Sequence, residues 1–207
     1  MDHTVGNTTL DTLFVDQMYI RAATPSGTTG VSLANPGDAG QVNVIDVGDQ
    51  DGDNFADLAV GTANSHLFKY LGGSGGLQTP SGAFYTATSS IVGVKFGNFS
   101  TTQTGLELAI AFGTTVRILT GSGSSGTVII SALPAYTPAN AITTLGAGDV
   151  NGDGPDDIVV GTSTDIWYWS NQNNAASWTS PILVFNVGAN IYSIDLGDAS
   201  KSQYVGR

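Results

Sequence analysis

The sequence predicts an all-β chain assembled from several similar units of four short strands, and three observations carry that prediction. Glycines at 48, 97, 148 and 197 recur at spacings of 49, 51 and 49 residues, each followed by an acid or amide: Asp49, Asn98, Asp149 and Asp198. Each interval holds several short runs rich in Val, Ile, Thr and aromatic residues, which suit a pleated, half-buried strand. No amphipathic helical pattern is evident in 207 residues that include 28 Gly and abundant Ser and Thr. A period near 50 with several strands in each period indicates the blades of a β-propeller.

In chain order, residues 1–40 read as the back of one unit, with LFVDQ, MYIRAA and TGVSLAN as strands. The first whole unit, 41–89, has VNVIDVG, DLAVGT, HLFKYL and AFYTATS. The second, 90–139, has IVGVKFG, ELAIAFG, TVRILTG and TVIISAL, and the third, 140–186, has ITTLGAG, DIVVGT, DIWYWSN and PILVFN. Residues 187–207 begin another unit with Ile191 to Leu196 as its first strand. Residues 1–207 therefore read as a single domain of about four blades' worth of chain. Pairing of Ile191–Leu196 with the strands of 11–36 closes four blades into a ring; the alternative is a fragment of a larger propeller.

The densest chemistry lies between the first and second strands of two units. IDVGDQDGDNFADLAVGT (45–62) and LGAGDVNGDGPDDIVVGT (145–162) match residue for residue at an offset of 100. Counted from the first acid, positions 1, 3, 5 and 9 are Asp49, Asp51, Asp53 and Asp57 in one loop, and Asp149, Asn151, Asp153 and Asp157 in the other. Alternate carboxylates followed by a ninth-position Asp can wrap a hard cation, with the position-7 carbonyl of Phe55 or Pro155 as a further oxygen. Position 6 is Asn54 or Gly154, residue types that tolerate the left-handed backbone of a sharp turn. An acidic solvated turn explains one copy, but not two in matched register. The expected cofactor is calcium, two ions per chain.

An EF-hand needs a Glu at position 12 and flanking helices; position 12 here is Val60 or Val160. Dockerin loops also run into a helix, whereas these are flanked by strand-forming sequence. The pattern G-D-x-[DN]-x-D-x-x-x-D-[LI]-x-V-G resembles the FG-GAP/VCBS-type repeat of integrin-like β-propellers. The resemblance implies blades whose calcium loop joins the first and second strands, and ligands at the eight residues just named. The second unit departs from it: NFSTTQTGLE has lost the carboxylates and gained a residue, leaving Glu107 opposite Asp57 and implying a metal-free loop. In the partial last unit, Ser200 and Ser202 stand at two ligand positions and Lys201 between them.

Charge and composition narrow the function. The formal net charge is −11, from 17 acids against six Lys and Arg, and phosphate binding needs basic clusters, so nucleic acid is not an expected partner. Eight of the 17 acids lie in the two nine-residue loops, so much of the acidity is site chemistry. Absence of Cys excludes disulfide and thiol chemistry, and no apolar run approaches the ~20 residues of a membrane helix. MDHTVGN lacks a signal-peptide apolar region, so location must come from the loops, whose expected calcium demand points to an extracellular or cell-surface site. Asn7-Thr8-Thr9 and Asn98-Phe99-Ser100 fit the N-glycosylation pattern.

Other features have plainer readings. Trp167 and Trp169 could stack on sugars, but their alternation in a strand favours the core between blades. A one-residue gap aligns them with Phe68 and Tyr70 and with Val116 and Ile118, leaving Lys69, Arg117 and Tyr168 on the opposite face. Trp178 is the better exposed candidate. His66 and His3 lack the companions of a metal or nucleophile site and read as stray surface residues. Two residues before each loop glycine stand Asp46, Lys95, Gly146 and Asp195, which the resemblance places on the innermost strand of each blade, ringing the propeller axis. A Lys–Asp pair between blades is the favoured account, and a polar site at the channel mouth the sharper one. The function that the resemblance implies is a non-enzymatic, calcium-stabilised module for recognition or adhesion, binding a protein or glycan at a rim face. Its alternatives are an architectural subunit that self-assembles and a hydrolase or lyase using Asp46, Lys95 and Asp195.

Overall fold

Short alternating runs separated by Gly-rich turns pair with their nearest neighbours in sequence, because hairpin closure costs the least chain entropy. A computed structural model describes residues 19–20, 31–32, 38, 40–100, 102, 104–121, 126–130, 132–137, 139–172 and 177–196. Among them the strands are β1 (Tyr19–Ile20), β2 (Val31–Ser32), β3 (Val42–Gly48), β4 (Asp57–Thr62), β5 (His66–Tyr70), β6 (Tyr85–Thr86) and β7 (Ile91–Gly97). The rest are β8 (Glu107–Phe112), β9 (Thr115–Thr120), β10 (Thr127–Ile130), β11 (Ile142–Gly148), β12 (Asp157–Thr162), β13 (Asp165–Trp169) and β14 (Ile182–Asn186). They form three four-stranded antiparallel sheets, β3–β6, β7–β10 and β11–β14, each in sequence order, and a small β1–β2 pair. No helix occurs among the described residues, and none therefore is long and apolar enough to cross a membrane.

Residues paired across strands share a face of the sheet, so the registers assign each side. In the first sheet Leu58 pairs with Tyr70 and Val60 with Phe68 on one face, and Ala59 with Lys69 on the other. Ala59, Leu67 and Phe84 pack with Leu108, Ile110 and Leu119 of the second sheet. The second sheet's other face, Ala109, Ala111, Val116 and Ile118, packs with Ile158, Val160, Trp167 and Trp169 of the third. Each sheet thus lays its front face on the rear face of the next, and β7 lies between β3 and β11. The second strands are covered on both sides, and every residue of β4, β8 and β12 is buried.

Trp167 and Trp169 fill the core between two sheets, as alternation predicted. Their alignment with Val116 and Ile118 needs correction, because Ile118 pairs with Ala109 and so lies on the front face. The β8–β9 and β12–β13 connections are both two residues, whereas β4–β5 has three. Register therefore places Arg117 and Leu119, not Val116 and Ile118, at the positions of Trp167 and Trp169. Arg117 accordingly turns back over the rings of Tyr85 and Phe112.

Residues 191–196 carry no strand pairing, although they lie against the third sheet as β7 lies against the first. Ile191 N–H donates to Thr162 O at 3.1 Å, and Ile191 packs on Gly161 as Ile91 packs on Gly61. The expected ring closure onto 11–36 is not made by the described strands: β1 and β2 pair with each other alone, and the remainder of 11–36 lies outside the described residues.

Candidate metal centre

Both acidic loops are closed at the neck by the first–second strand pairing, Gly48 with Asp57 and Gly148 with Asp157. Within that neck the position-1 carboxylate gathers the loop's own amides. Asp49 accepts from Gly52 N at 2.7 Å, Asp53 N at 3.2 Å and Asn54 N at 2.9 Å. Asp149 accepts from Gly152 N at 2.7 Å, Asp153 N at 3.1 Å and Gly154 N at 3.0 Å. The turn runs through left-handed backbone at position 6, with φ of 70° at Asn54 and 111° at Gly154, as those residue types allow.

This winding turns positions 1, 3 and 5 to one side. Asp49, Asp51 and Asp53 each place a carboxylate oxygen within 4.8 Å of the other two. In the other loop Asp153 N donates to Asn151 Oδ1 at 2.9 Å, and Asn151 Nδ2 to Asp153 Oδ2 at 2.9 Å. Three close carboxylates are a donor set that fits a hard, oxygen-seeking cation. Phe55 at position 7 is exposed, and its N–H donates to Asp53 Oδ1 at 2.8 Å. Pro155 occupies the same place in the second copy.

The ninth-position acids are not gathered with the other three. Asp57 is fully buried and accepts from Gln50 N at 3.2 Å and Gly72 N at 2.8 Å. Asp157 likewise accepts from Val150 N at 3.1 Å, Asn171 N at 2.8 Å and the Tyr168 hydroxyl at 2.9 Å. These two carboxylates lock the neck of each loop to the end of the third strand. Burial pushes the Asp57 carboxyl up, against the pull of its amide donors. Lys69 is buried beside it, donating to Gly121 O at 2.6 Å and standing over the Phe84 ring; burial pushes its ammonium down, and Asp57 and Asp51 oppose that shift.

Glu107 holds the same neck position in the second sheet, accepting from Phe99 N and Ser100 N, each at 2.9 Å. Its other oxygen is buried without a partner, and desolvation pushes the carboxyl up. That loop ties its neighbours together: Leu106 N donates to Asp49 O at 3.0 Å, and Asp156 N to Asn98 O at 2.8 Å. Gly105, at φ 84°, comes so close to Gln50 that a Cβ would stand 2.2 Å from its carbonyl oxygen.

The residues expected at the axis divide. Lys95 Nζ lies 3.7 Å from Asp46 Oδ1, a bridge between adjacent first strands, and Phe96 N donates to Asp46 Oδ2 at 2.7 Å. Asp195 is exposed and forms no part of that pair. His66 is not a stray residue: its Nδ1 lies 3.2 Å from Asp38 Oδ2, beside donors from Thr62, Asn64 and Gly40. Asp38 was invisible to motif reasoning because the side chains of Thr62, Asn64 and His66 that meet it lie 24 to 28 residues away. Burial raises its carboxyl, but these donors outweigh it and the net shift is downward. Trp178 is half-buried, its ring 6.3 Å from Phe99, so it is not the exposed platform expected. Phe99 and Ser100 of the Asn98 glycosylation pattern are buried and Asn98 is half-buried; Asn7 and His3 lie outside the described residues. Comparison with protein-family models and with curated proteins finds no match for the chain.

Proposed function

We propose that the chain is a calcium-stabilised, non-enzymatic recognition or adhesion module of an extracellular surface. In this reading the three sheets are propeller blades, and 191–196 begins a further blade that strands of 11–36 complete. The supporting observation is the convergence of Asp49, Asp51 and Asp53 in a loop whose amide pattern recurs around Asp149. Calcium would be held by Asp49, Asp51, Asp53 and the Phe55 carbonyl, and by Asp149, Asn151, Asp153 and the Pro155 carbonyl. Asp57 and Asp157 stand behind them, holding each neck closed. The ion supplies charge neutralisation, so loops that repel themselves become rigid rims. Rim loops on a stiff scaffold are where recognition surfaces are commonly built. Among the axial acids, Asp46 is committed to Lys95, which counts against its use as a general base in hydrolysis.

At calcium tenfold above a Kd of about 10⁻⁴ M, each site adds about 1.4 kcal/mol to stability. Two sites then raise the melting temperature by roughly 6–12 °C. Differential scanning calorimetry with millimolar calcium or excess chelator measures this. Asp53→Ala combined with Asp153→Ala should abolish the calcium increment. Identical melting curves in calcium and in chelator, from metal-free protein, refute the reading.

A further inference from the structure

Of the three loops between first and second strands, the middle one carries no acid before Glu107, yet it is bonded to both of its acidic neighbours. Its exit is held by the first loop. Leu106 N donates to Asp49 O at 3.0 Å, so the bond falls on the residue at position 1 of the candidate metal site. Beside it, a Cβ on Gly105 would stand 2.9 Å from Gly52 N, well inside the first loop. The entrance is held by the third loop. Asn98 N donates to Asp156 Oδ2 at 2.7 Å, and Asp156 N returns a bond to Asn98 O at 2.8 Å. Asn171 fastens the same junction, its Nδ2 donating to Phe99 O at 2.8 Å and to Asp156 O at 3.2 Å.

Glu107 joins exit to entrance. It follows Leu106 directly, and its Oε2 accepts from Phe99 N and Ser100 N, the two residues after Asn98. An unbroken run of hydrogen bonds and peptide links therefore leads from Asp49, through 106–107 and 98–100, to Asp156. Glu107, Phe99 and Ser100 are buried, so water does not compete for the bonds that cross the second sheet. Asp156 stands at position 8 of its loop, where the first loop has Ala56. The side-chain half of its contact with Asn98 is thus particular to the third loop.

Ordering a loop costs conformational entropy at every residue fixed. An ion that orders one acidic loop also fixes its contacts with the middle loop, so an ion arriving at the other acidic loop finds part of the ordering done. A second ligand binds more tightly to a partner already made rigid, with no change of shape needed. Repulsion between the two ions opposes this. β7 lies between β3 and β11, and stacked sheets lie about 10 Å apart, which sets the two sites about 20 Å from one another. That is about two Debye lengths at 0.1 M salt. Repulsion at this range is largely screened, whereas the contacts through the middle loop are direct.

We propose that the middle loop, itself without a metal, couples the two acidic loops, so that calcium binds at 49–57 and 149–157 with positive cooperativity. The inference rests on the calcium reading above and adds a regulation to it. The three loops set as one rim over a narrow span of calcium concentration, rather than one by one. Such coupling is reciprocal, and a factor of about tenfold between equal sites gives a Hill coefficient of about 1.5.

Isothermal titration of the metal-free full chain with calcium, at about 0.15 M sodium chloride where direct repulsion is screened, counts the ions and reads the coupling. The unaltered chain should take two ions with a Hill coefficient of about 1.5. Asp53→Ala and Asp153→Ala should each leave one ion, bound about threefold more weakly than the midpoint of the unaltered chain. Asp156→Ala, which gives the third loop the residue type that the first loop already has at that position, should keep both ions and lose the cooperativity. Hydrogen exchange follows the route: in Asp153→Ala, calcium at the first loop should slow the amide of Asn98 relative to those of β13, and adding Asp156→Ala should remove that effect. Two ions bound without cooperativity by the unaltered chain, with the Asn98 amide indifferent to calcium at the first loop, overturn the coupling and leave the calcium reading standing. Cooperativity that persists undiminished in Asp156→Ala overturns the route through the middle loop. No ion bound at all overturns the calcium reading and the coupling with it.

Discussion

At the scale of single residues, the ninth-position acids show how one locus serves two ends. Asp57 and Asp157 satisfy backbone amides completely, whereas Glu107, longer by one methylene, keeps one oxygen buried and unpaired. Its carboxyl is raised by desolvation, so the folded state holds that proton more tightly than the unfolded chain does. Its contribution to stability is whole below the ordinary Glu range and is lost as pH rises through the raised value. Glu107→Gln keeps an oxygen for Phe99 N and Ser100 N and removes the buried charge. It should stabilise the protein by about 1 kcal/mol at neutral pH, with the gain vanishing below about pH 4; urea midpoints across that range measure it. The convergence of Asp49, Asp51 and Asp53 was legible in the sequence because positions 1, 3 and 5 are set by local winding alone. Asp38 with His66, and Lys69 with Gly121, were not, because sequence spacing says little about partners brought in from 28 and 52 residues away.

At the scale of elements, the strands stood out because the second strand of each sheet is buried on both faces and reads as an unbroken apolar run. Faces were harder to read. A single extra residue in the β4–β5 connection shifts the register, and one residue of slip exchanges the two sides of a strand; β9 was misassigned for that reason. β13 offers a test of which side matters. Trp169 is 1 % exposed, donates from Nε1 to Pro134 O at 2.9 Å, and meets the Tyr136 ring edge-on. Trp169→Ala should cost about 3–5 kcal/mol. Trp178→Ala, at a half-buried site, should cost about 1–2 kcal/mol, on the scale of losing part of a buried aromatic's surface. Equilibrium denaturation of the two variants side by side checks the ordering. The loops obey the same geometry: Gly105→Ala places a methyl group against the Gln50 carbonyl and forces an unfavourable φ, so it should lower the melting temperature and loosen the junction of the first two sheets.

At the scale of the whole molecule, the question is what holds together a chain with a net charge of −11. Only six Lys and Arg oppose 17 acids, and two of the cations, Lys69 and Lys95, are already engaged with Gly121 and Asp46. The acids are concentrated along one edge of the sheets, where the first–second strand loops lie side by side and are joined by Leu106 and Asp156. Self-repulsion of such an edge acts against the compact state and is screened over a Debye length of about 10 Å at 0.1 M salt. Sodium chloride should therefore raise the melting temperature of the metal-free protein smoothly. In the calcium reading the ion acts by occupying loci rather than by screening, and should give a saturable increment at concentrations too low to alter ionic strength. The two effects should also interfere, since salt weakens attraction between the ion and the loops: the calcium increment should be larger in 10 mM than in about 500 mM sodium chloride, where the Debye length shrinks from about 30 Å to under 5 Å. Scanning calorimetry over a grid of salt and calcium measures both. If salt alone reproduces the whole stabilisation and calcium adds nothing at low ionic strength, the acidic edge is a screened surface and not a pair of metal loops. A saturable increment lost with Asp53→Ala and Asp153→Ala instead assigns the acidity to the loops, and makes the metal the element that allows the two acidic loops to share one edge of the sheets.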